Sequence, residues 1–243
     1  MELDADNAYH LGCSLEMEGR SYQAEQFWRK EAAAGNAGAM CGLGNWLDRR
    51  GEVGAAEQLW RKAAAAGFTE AMNNLGCSLN SRGEVGEAEQ WYRKAAAASG
   101  PWWGKQVFAN LGCLLEERGE EDEAQQWYRK AATMGHTTAM YRLGCLLHKQ
   151  GEVGEAEQWL RKAAAASGDV EVMRFLANLL EEQGKRGGAW WWRCKATVAK
   201  WEPKLNQEWS GGNLNARRYA TEMGESGANL ADVLAHNPNV GPH

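Results

Sequence analysis

The chain has 243 residues, with 27 Lys and Arg against 32 Asp and Glu and a net charge of −5. Its basic residues are dispersed, not massed in a stripe, which speaks against binding a nucleic-acid backbone. No apolar run is long enough to span a bilayer, and the opening Met1-Glu2-Leu3-Asp4-Ala5-Asp6 lacks the apolar core of a signal peptide, so a soluble cytoplasmic protein is expected.

A leucine–glycine pair recurs at Leu11-Gly12, Leu43-Gly44, Leu75-Gly76, Leu111-Gly112 and Leu143-Gly144, in steps of 32, 32, 36 and 32 residues. A degenerate sixth copy stands at Leu176-Ala177. A period in this range marks a solenoid, whose length sets the number of copies because each repeat contacts its neighbours alone.

The third copy shows the elements most clearly. Ala71, Leu75 and Leu79 fall at i, i+4 and i+8, one face of a helix. Gly76 costs about 1 kcal/mol in mid-helix and so implies a close approach by a second helix. Arg82-Gly83-Glu84 ends the first helix, and Gly19, Gly51, Gly119, Gly151 and Gly184 hold the same place in the other copies. The second helix follows through Glu87–Ala96, with Ala88, Trp91, Tyr92 and Ala95 as its buried stripe. Glu89 reaches Arg93 at i+4, as do Glu25 with Arg29, Glu57 with Arg61 and Glu157 with Arg161. These charges are expected to form a solvated, self-paired face. Cys13, Cys77, Cys113 and Cys145 form a column beside the Leu-Gly pair. Equivalent residues of stacked repeats lie roughly 10 Å apart, too far for a disulfide, so reduced thiols are expected.

The string Ala-x-x-x-Leu-Gly, then Gly-Glu, then Glu-Ala-Glu-Gln-Trp-Tyr-Arg-Lys-Ala-Ala, then Gly and a return to Ala-Met resembles the Sel1-like branch of the tetratricopeptide repeats. The resemblance runs from about Asn7 to Lys200. It implies an all-α fold, a right-handed α-solenoid of antiparallel helix pairs with about six repeats and a C-terminal tail. The expected array is 1–200, with repeats near 7–38, 39–70, 71–106, 107–138, 139–171 and 172–200, followed by a capping helix or flexible tail over 201–243. The short link Arg82–Gly86 matches tetratricopeptide repeats and lacks the longer Sel1 insertion; the step Ala97–Gly100 lacks their usual proline.

One junction is four residues longer than the others, Ser99-Gly100-Pro101-Trp102-Trp103-Gly104-Lys105-Gln106. Trp102 and Trp103 either form an aromatic contact site for a partner or fill a gap left by irregular stacking. In Ala189-Trp190-Trp191-Trp192-Arg193, Trp192 aligns with Trp91 and is expected in the core, and Trp190 and Trp191 are expected to cap the array. Trp201-Glu202-Pro203 predicts a helix break, and Ser210-Gly211-Gly212-Asn213 a linker. One or two short helices are expected over 214–236, then an extended end.

No phosphate-binding glycine loop, Gly-x-Ser-x-Gly elbow or His-Glu-x-x-His is present, so neither enzymatic activity nor a cofactor is expected. In tetratricopeptide arrays the first helices line a concave surface. Carried over by the Leu-Gly pair, the groove positions are Tyr9, Cys13, Glu16, Cys41, Asn45, Asp48, Asn73, Cys77, Asn80, Cys113, Glu116, Tyr141, Cys145, His148, Arg174, Asn178 and Glu181. The asparagines either hydrogen-bond the backbone of an extended peptide or, with the rest of the set, simply face water. The expected function is therefore a non-catalytic scaffold for a protein or peptide segment, with no nucleic-acid or membrane partner. One alternative is a homo-oligomer built by docking of the tail on a repeat surface. Another is a metal site at Cys145 and His148, which share a helix face at i and i+3 but need a third ligand.

Overall fold

The computed structural model describes residues 4–100 and 103–210, and among them twelve α-helices and no strand. They are α1 (Ala5–Met17), α2 (Ser21–Ala33), α3 (Ala37–Arg49), α4 (Val53–Ala65), α5 (Thr69–Ser81), α6 (Val85–Ala98), α7 (Gly104–Glu117), α8 (Glu121–Thr133), α9 (Thr137–Lys149), α10 (Val153–Ser167), α11 (Val170–Glu182) and α12 (Arg186–Ser210). The helices divide between two compact units, Met1–Met134 and Gly135–His243.

In the first unit α1/α2, α3/α4, α5/α6 and α7/α8 form hairpins, and α2, α4 and α6 each also pack on the first helix that follows. First helices meet directly as well, α1 with α3 and α5 with α7. In the second unit α9/α10 and α11/α12 are the hairpins, with α10 against α11. The fold is an all-α repeat solenoid.

The predicted faces account for the packing. Ala71, Leu75 and Leu79 have no exposed surface, and Ala88, Tyr92 and Ala95 lie buried opposite them. Each glycine of the repeated pair sits against its own second helix. A Cβ on Gly76 would stand 2.7 Å from the Tyr92 ring, on Gly112 2.8 Å from Tyr128, on Gly44 2.6 Å from Trp60 and on Gly144 2.7 Å from Leu160. In the sixth copy Ala177 replaces the glycine, and the residue sixteen positions on is the exposed Arg193 instead of a packed ring or leucine. At Gly83 the backbone turns left-handed, with φ of 81°. The amides of Gly83 and Glu84 bond the carbonyls of Asn80 and Leu79 at 2.9 Å each, which closes the end of α5.

Three expectations change. Trp91 is half-buried and not part of the inner stripe. Its indole N–H donates to Glu87 at 3.3 Å and the Lys94 ammonium lies 4.3 Å from its ring centroid. Trp127 and Trp159 repeat the arrangement with Glu123 and Lys130, and with Glu155 and Lys162. A tryptophan at the edge of a stripe buries its ring body and keeps its polar edge supplied.

The helical charges also do more than face water. Glu57 is 8% and Glu157 6% exposed. Glu57 accepts from Arg61 of its own helix at 2.9 Å and from Arg82 of the next repeat at 2.6 Å, while Arg61 reaches on to Glu87 at 2.8 Å. Glu89 repeats this with Arg93 and Arg118, and Glu157 with Arg161 and Lys185. Burial alone would raise the Glu157 carboxyl; the Lys185 and Arg161 cations outweigh it and hold that carboxyl below its ordinary value. Carboxylates four residues ahead of an arginine thus serve the joints between repeats as well as single helices.

Finally, the break expected at Trp201-Glu202-Pro203 does not occur, because α12 continues through Pro203 to Ser210. A proline removes one amide donor and bends a helix at a cost of about 3 kcal/mol, which need not end it. The expectations for Trp102 and for residues 211–243 lie outside the described residues.

Candidate functional site

The first helices of the first unit carry a file of polar side chains bonded across their joints. Gln106 donates to the Asn110 carbonyl at 3.0 Å, and the Asn110 amide donates to Asn73 at 2.8 Å. Asn73 donates to its neighbour Asn74 at 3.4 Å, and Asn74 donates to Asn45 at 2.7 Å. Asn45 then donates to the Tyr9 hydroxyl at 3.2 Å, and its carbonyl also accepts the Trp60 indole N–H at 2.9 Å. α7, α5, α3 and α1 are thereby linked in one run. Asparagine is a poor interior helix residue because its amide competes with the backbone; here the amides are engaged between helices.

Glu70, in the first turn of α5, joins the run through Asn74 and Tyr9. Burial pushes its carboxyl up to about 7, and the bonds from Asn74 and Tyr9 offset part of that rise. Burial likewise raises the Cys41 thiol nearby, and the same cause raises Cys77, which receives the Tyr92 hydroxyl at 3.2 Å. Replacing Asn110 by Ala strips the buried Asn73 carbonyl of its partner. It should lower stability by about 1–3 kcal/mol, the cost of an unsatisfied buried acceptor, as read by urea unfolding.

Two cavities open beside this run. One of about 470 Å³ is lined by Asn45, Asp48, Arg49, Trp60, Asn74, Cys77, Ser78 and Ser81, from α3, α4 and α5. The other, of about 900 Å³, lies at the starts of α1, α3, α5 and α7 and is lined by Asp4, Asp6, His10, Phe68 and Trp103 among others. Trp103 packs edge-on to Tyr9 with centroids 5.6 Å apart and parallel to His10 at 6.3 Å. The four-residue insertion therefore brings an indole back onto the first helix of the chain.

The expected groove positions divide by column. Those two residues before the leucine are covered in the first unit: Tyr9, Cys41 and Asn73 are buried, since neighbouring first helices close over them. The positions two and five after the leucine are more open. Asn45 and Asn80 are half-buried, Asp48 and Cys77 exposed, and Glu116 half-buried where it accepts the Tyr128 hydroxyl at 2.7 Å. Asn45, Asp48 and Cys77 share the smaller cavity; Asn80 and Glu116 do not line it.

In the second unit Tyr141 packs edge-on to Phe175 at 5.9 Å, and His148 approaches the same ring at 5.8 Å. His148 Nε2 lies 3.6 Å from Glu182. Arg174 pairs with Glu171 at 3.0 Å, and Asn178 accepts from Arg193 at 3.3 Å. Among the described residues no cluster of three His, Cys, Asp or Glu side chains that could hold a metal ion is present, at Cys145 and His148 or elsewhere. Asn74, Asn110 and Glu70 were not foreseen as members of the site. Asn74 and Asn110 signalled themselves as asparagines inside apolar helices, one residue before the leucine; Glu70, five residues before it, gave no such signal.

The tetratricopeptide-repeat family matches residues 69–99 and, by a second form of the repeat, 110–171. A search of curated protein sequences gives no match. Among solved structures, a Sel1 repeat protein from Oxalobacter formigenes is 28% identical, over 82% of this chain and 89% of that one, with a TM-score of 0.63. Pseudomonas aeruginosa pilF is 20% identical over 91% of this chain and 97% of its own, with a TM-score of 0.66. YrrB, described as a tetratricopeptide protein with an unusual peptide-binding site, is 19% identical over 71% and 91%, with a TM-score of 0.55.

The chain is accordingly a helical-repeat protein built of stacked two-helix units. Residues 69–99 and 110–171 match tetratricopeptide repeats, and the fold is similar to that of Sel1 repeat proteins. Folds of this family generally mediate protein–protein or peptide binding and are generally non-catalytic. No helix among the described residues is long and apolar enough to cross a membrane.

Proposed function

We propose that this chain is a non-catalytic scaffold that holds a segment of a partner protein along the first helices of its first unit. The observation carrying this reading is the smaller cavity, where Asn45, Asp48 and Cys77 from two consecutive repeats come together beside Trp60. Trp60 supplies an apolar wall, Ser78 and Ser81 supply hydroxyls, and Asp48 supplies a charge at the rim. A mixed lining of this kind suits an extended segment held by a few polar contacts around an apolar centre. Similarity to YrrB supports the reading, since that protein binds peptide on a related framework.

The asparagine run makes Asn45 and Asn73 part of the framework, so the test belongs on side chains outside it. Asp48→Lys reverses a charge at an exposed position and should weaken capture of a bound segment at least tenfold, with helical content unchanged by circular dichroism. Partners are taken by affinity capture with the unaltered chain, and their affinity for the variant is measured by calorimetry. Equal affinity for both forms would remove this cavity from the account.

A further inference from the structure

The insertion after α6 places Trp103 beside the start of α1, at the larger cavity of the first unit, of about 900 Å³. Tyr9 is the hub of the aromatic side chains there. Its ring centroid lies 5.6 Å from that of Trp103, 5.7 Å from Phe68 and 5.6 Å from His10. Tyr9 and Phe68 are buried, so the half-buried Trp103 is held by packing while it lines the open space. The carboxylates at the cavity are Asp4 and Asp6, and among the described residues no lysine or arginine lines it. Both Asp4 oxygens accept from Asn7, at 2.8 and 2.6 Å, which fixes that side chain as the cap of α1. Asp6 is exposed.

The starts of four helices would by themselves favour an anion. Here the side chains of Asp4 and Asn36 already cap α1 and α3. The ends of α4 and α6, at Ala66 and Ala98, line the same space and carry the opposite partial charge. The two carboxylates therefore set the sign of the field, and an indole wall suits a flat cation with a spread charge. We propose that this cavity binds an arginine side chain of a partner segment, with the guanidinium stacked on Trp103 and paired with Asp6. Among the described residues none lines both this cavity and the one at Asp48. The site is thus a second point of contact with its own chemical preference, whichever segment the smaller cavity holds.

Titration of the full chain with a blocked Gly-Gly-Arg-Gly-Gly peptide, followed by NMR at the amides of α1 and α7, tests it. Those amides should shift and saturate. The same peptide with citrulline, which keeps the shape and loses the charge, should bind at least about fivefold more weakly. Asp6→Asn and Trp103→Leu should each cost the arginine peptide a similar factor, and Asp6→Glu should retain its affinity. Asp122→Asn removes the same charge from an exposed site on α8 and should leave binding unchanged. The Asp6 variants carry the test if Trp103→Leu loses helical content. An arginine peptide that fails to bind overturns the inference, as does a citrulline or lysine peptide that binds equally well. So does a loss in Asp122→Asn matching that in Asp6→Asn, which would trace binding to net charge and not to this cavity.

Discussion

Gly76→Ala should destabilise the protein by about 2 kcal/mol, whereas Gly86→Ala should stabilise it by a few tenths to about 1 kcal/mol. Both remove a helical glycine, Gly76 in mid-helix and Gly86 in the first turn of α6, so at both sites propensity favours alanine and only packing can reverse the sign at Gly76. At Gly76 the added carbon would meet three atoms of the Tyr92 ring within 2.7–3.0 Å, and that ring is 3% exposed with no space to retreat. At Gly86 nothing lies within 4 Å. Urea unfolding of the two variants, and of each in a Tyr92→Ala background, measures the coupling. If Gly76→Ala costs the same with and without Tyr92, the ring is not what demands glycine there.

Glu70→Gln should raise stability by about 2 kcal/mol at pH 8 and have little effect below about pH 4.5. Burial raises the Glu70 carboxyl from an ordinary 4.5 to about 7, so the folded state holds its proton more tightly than the unfolded state does. The stability this contributes is fully present below 4.5 and disappears as pH rises through 7, where the ionised group must be held beside Tyr9, Asn74 and the thiols of Cys13 and Cys41. Glutamine carries no charge to desolvate. Its advantage should therefore grow between pH 4.5 and 7 and level off above. The side chain is partly exposed, which holds the effect below the full value of the shift. Thermal melts across that window read it directly, and a pH-independent difference would detach Glu70 from the titration.

Much of this architecture was legible from residue spacing. The Leu-Gly period, the helix face of Ala71, Leu75 and Leu79, and the turn at Gly83 all follow from local rules, because each repeat solves the same packing problem. What the spacing concealed was contact between repeats. A glutamate at i−4 from an arginine reads as a surface pair, and nothing in one helix tells that Glu57 also meets Arg82. Asn74 and Asn110 stand one residue before the leucine, outside the positions carried over for the groove, although their amides span neighbouring first helices. Trp103 shows the same limit from the other side: its insertion was visible, but its landing on Tyr9 and His10 depends on how three preceding repeats stack.

The ionic ties carry a consequence for the ancestry of the array. Since Glu57–Arg82 and Glu89–Arg118 use the same parts at equivalent repeat positions, an extra copy made by tandem gene duplication would arrive with both halves of its connection already in place. Lengthening by whole units would need no new complementary surface to evolve.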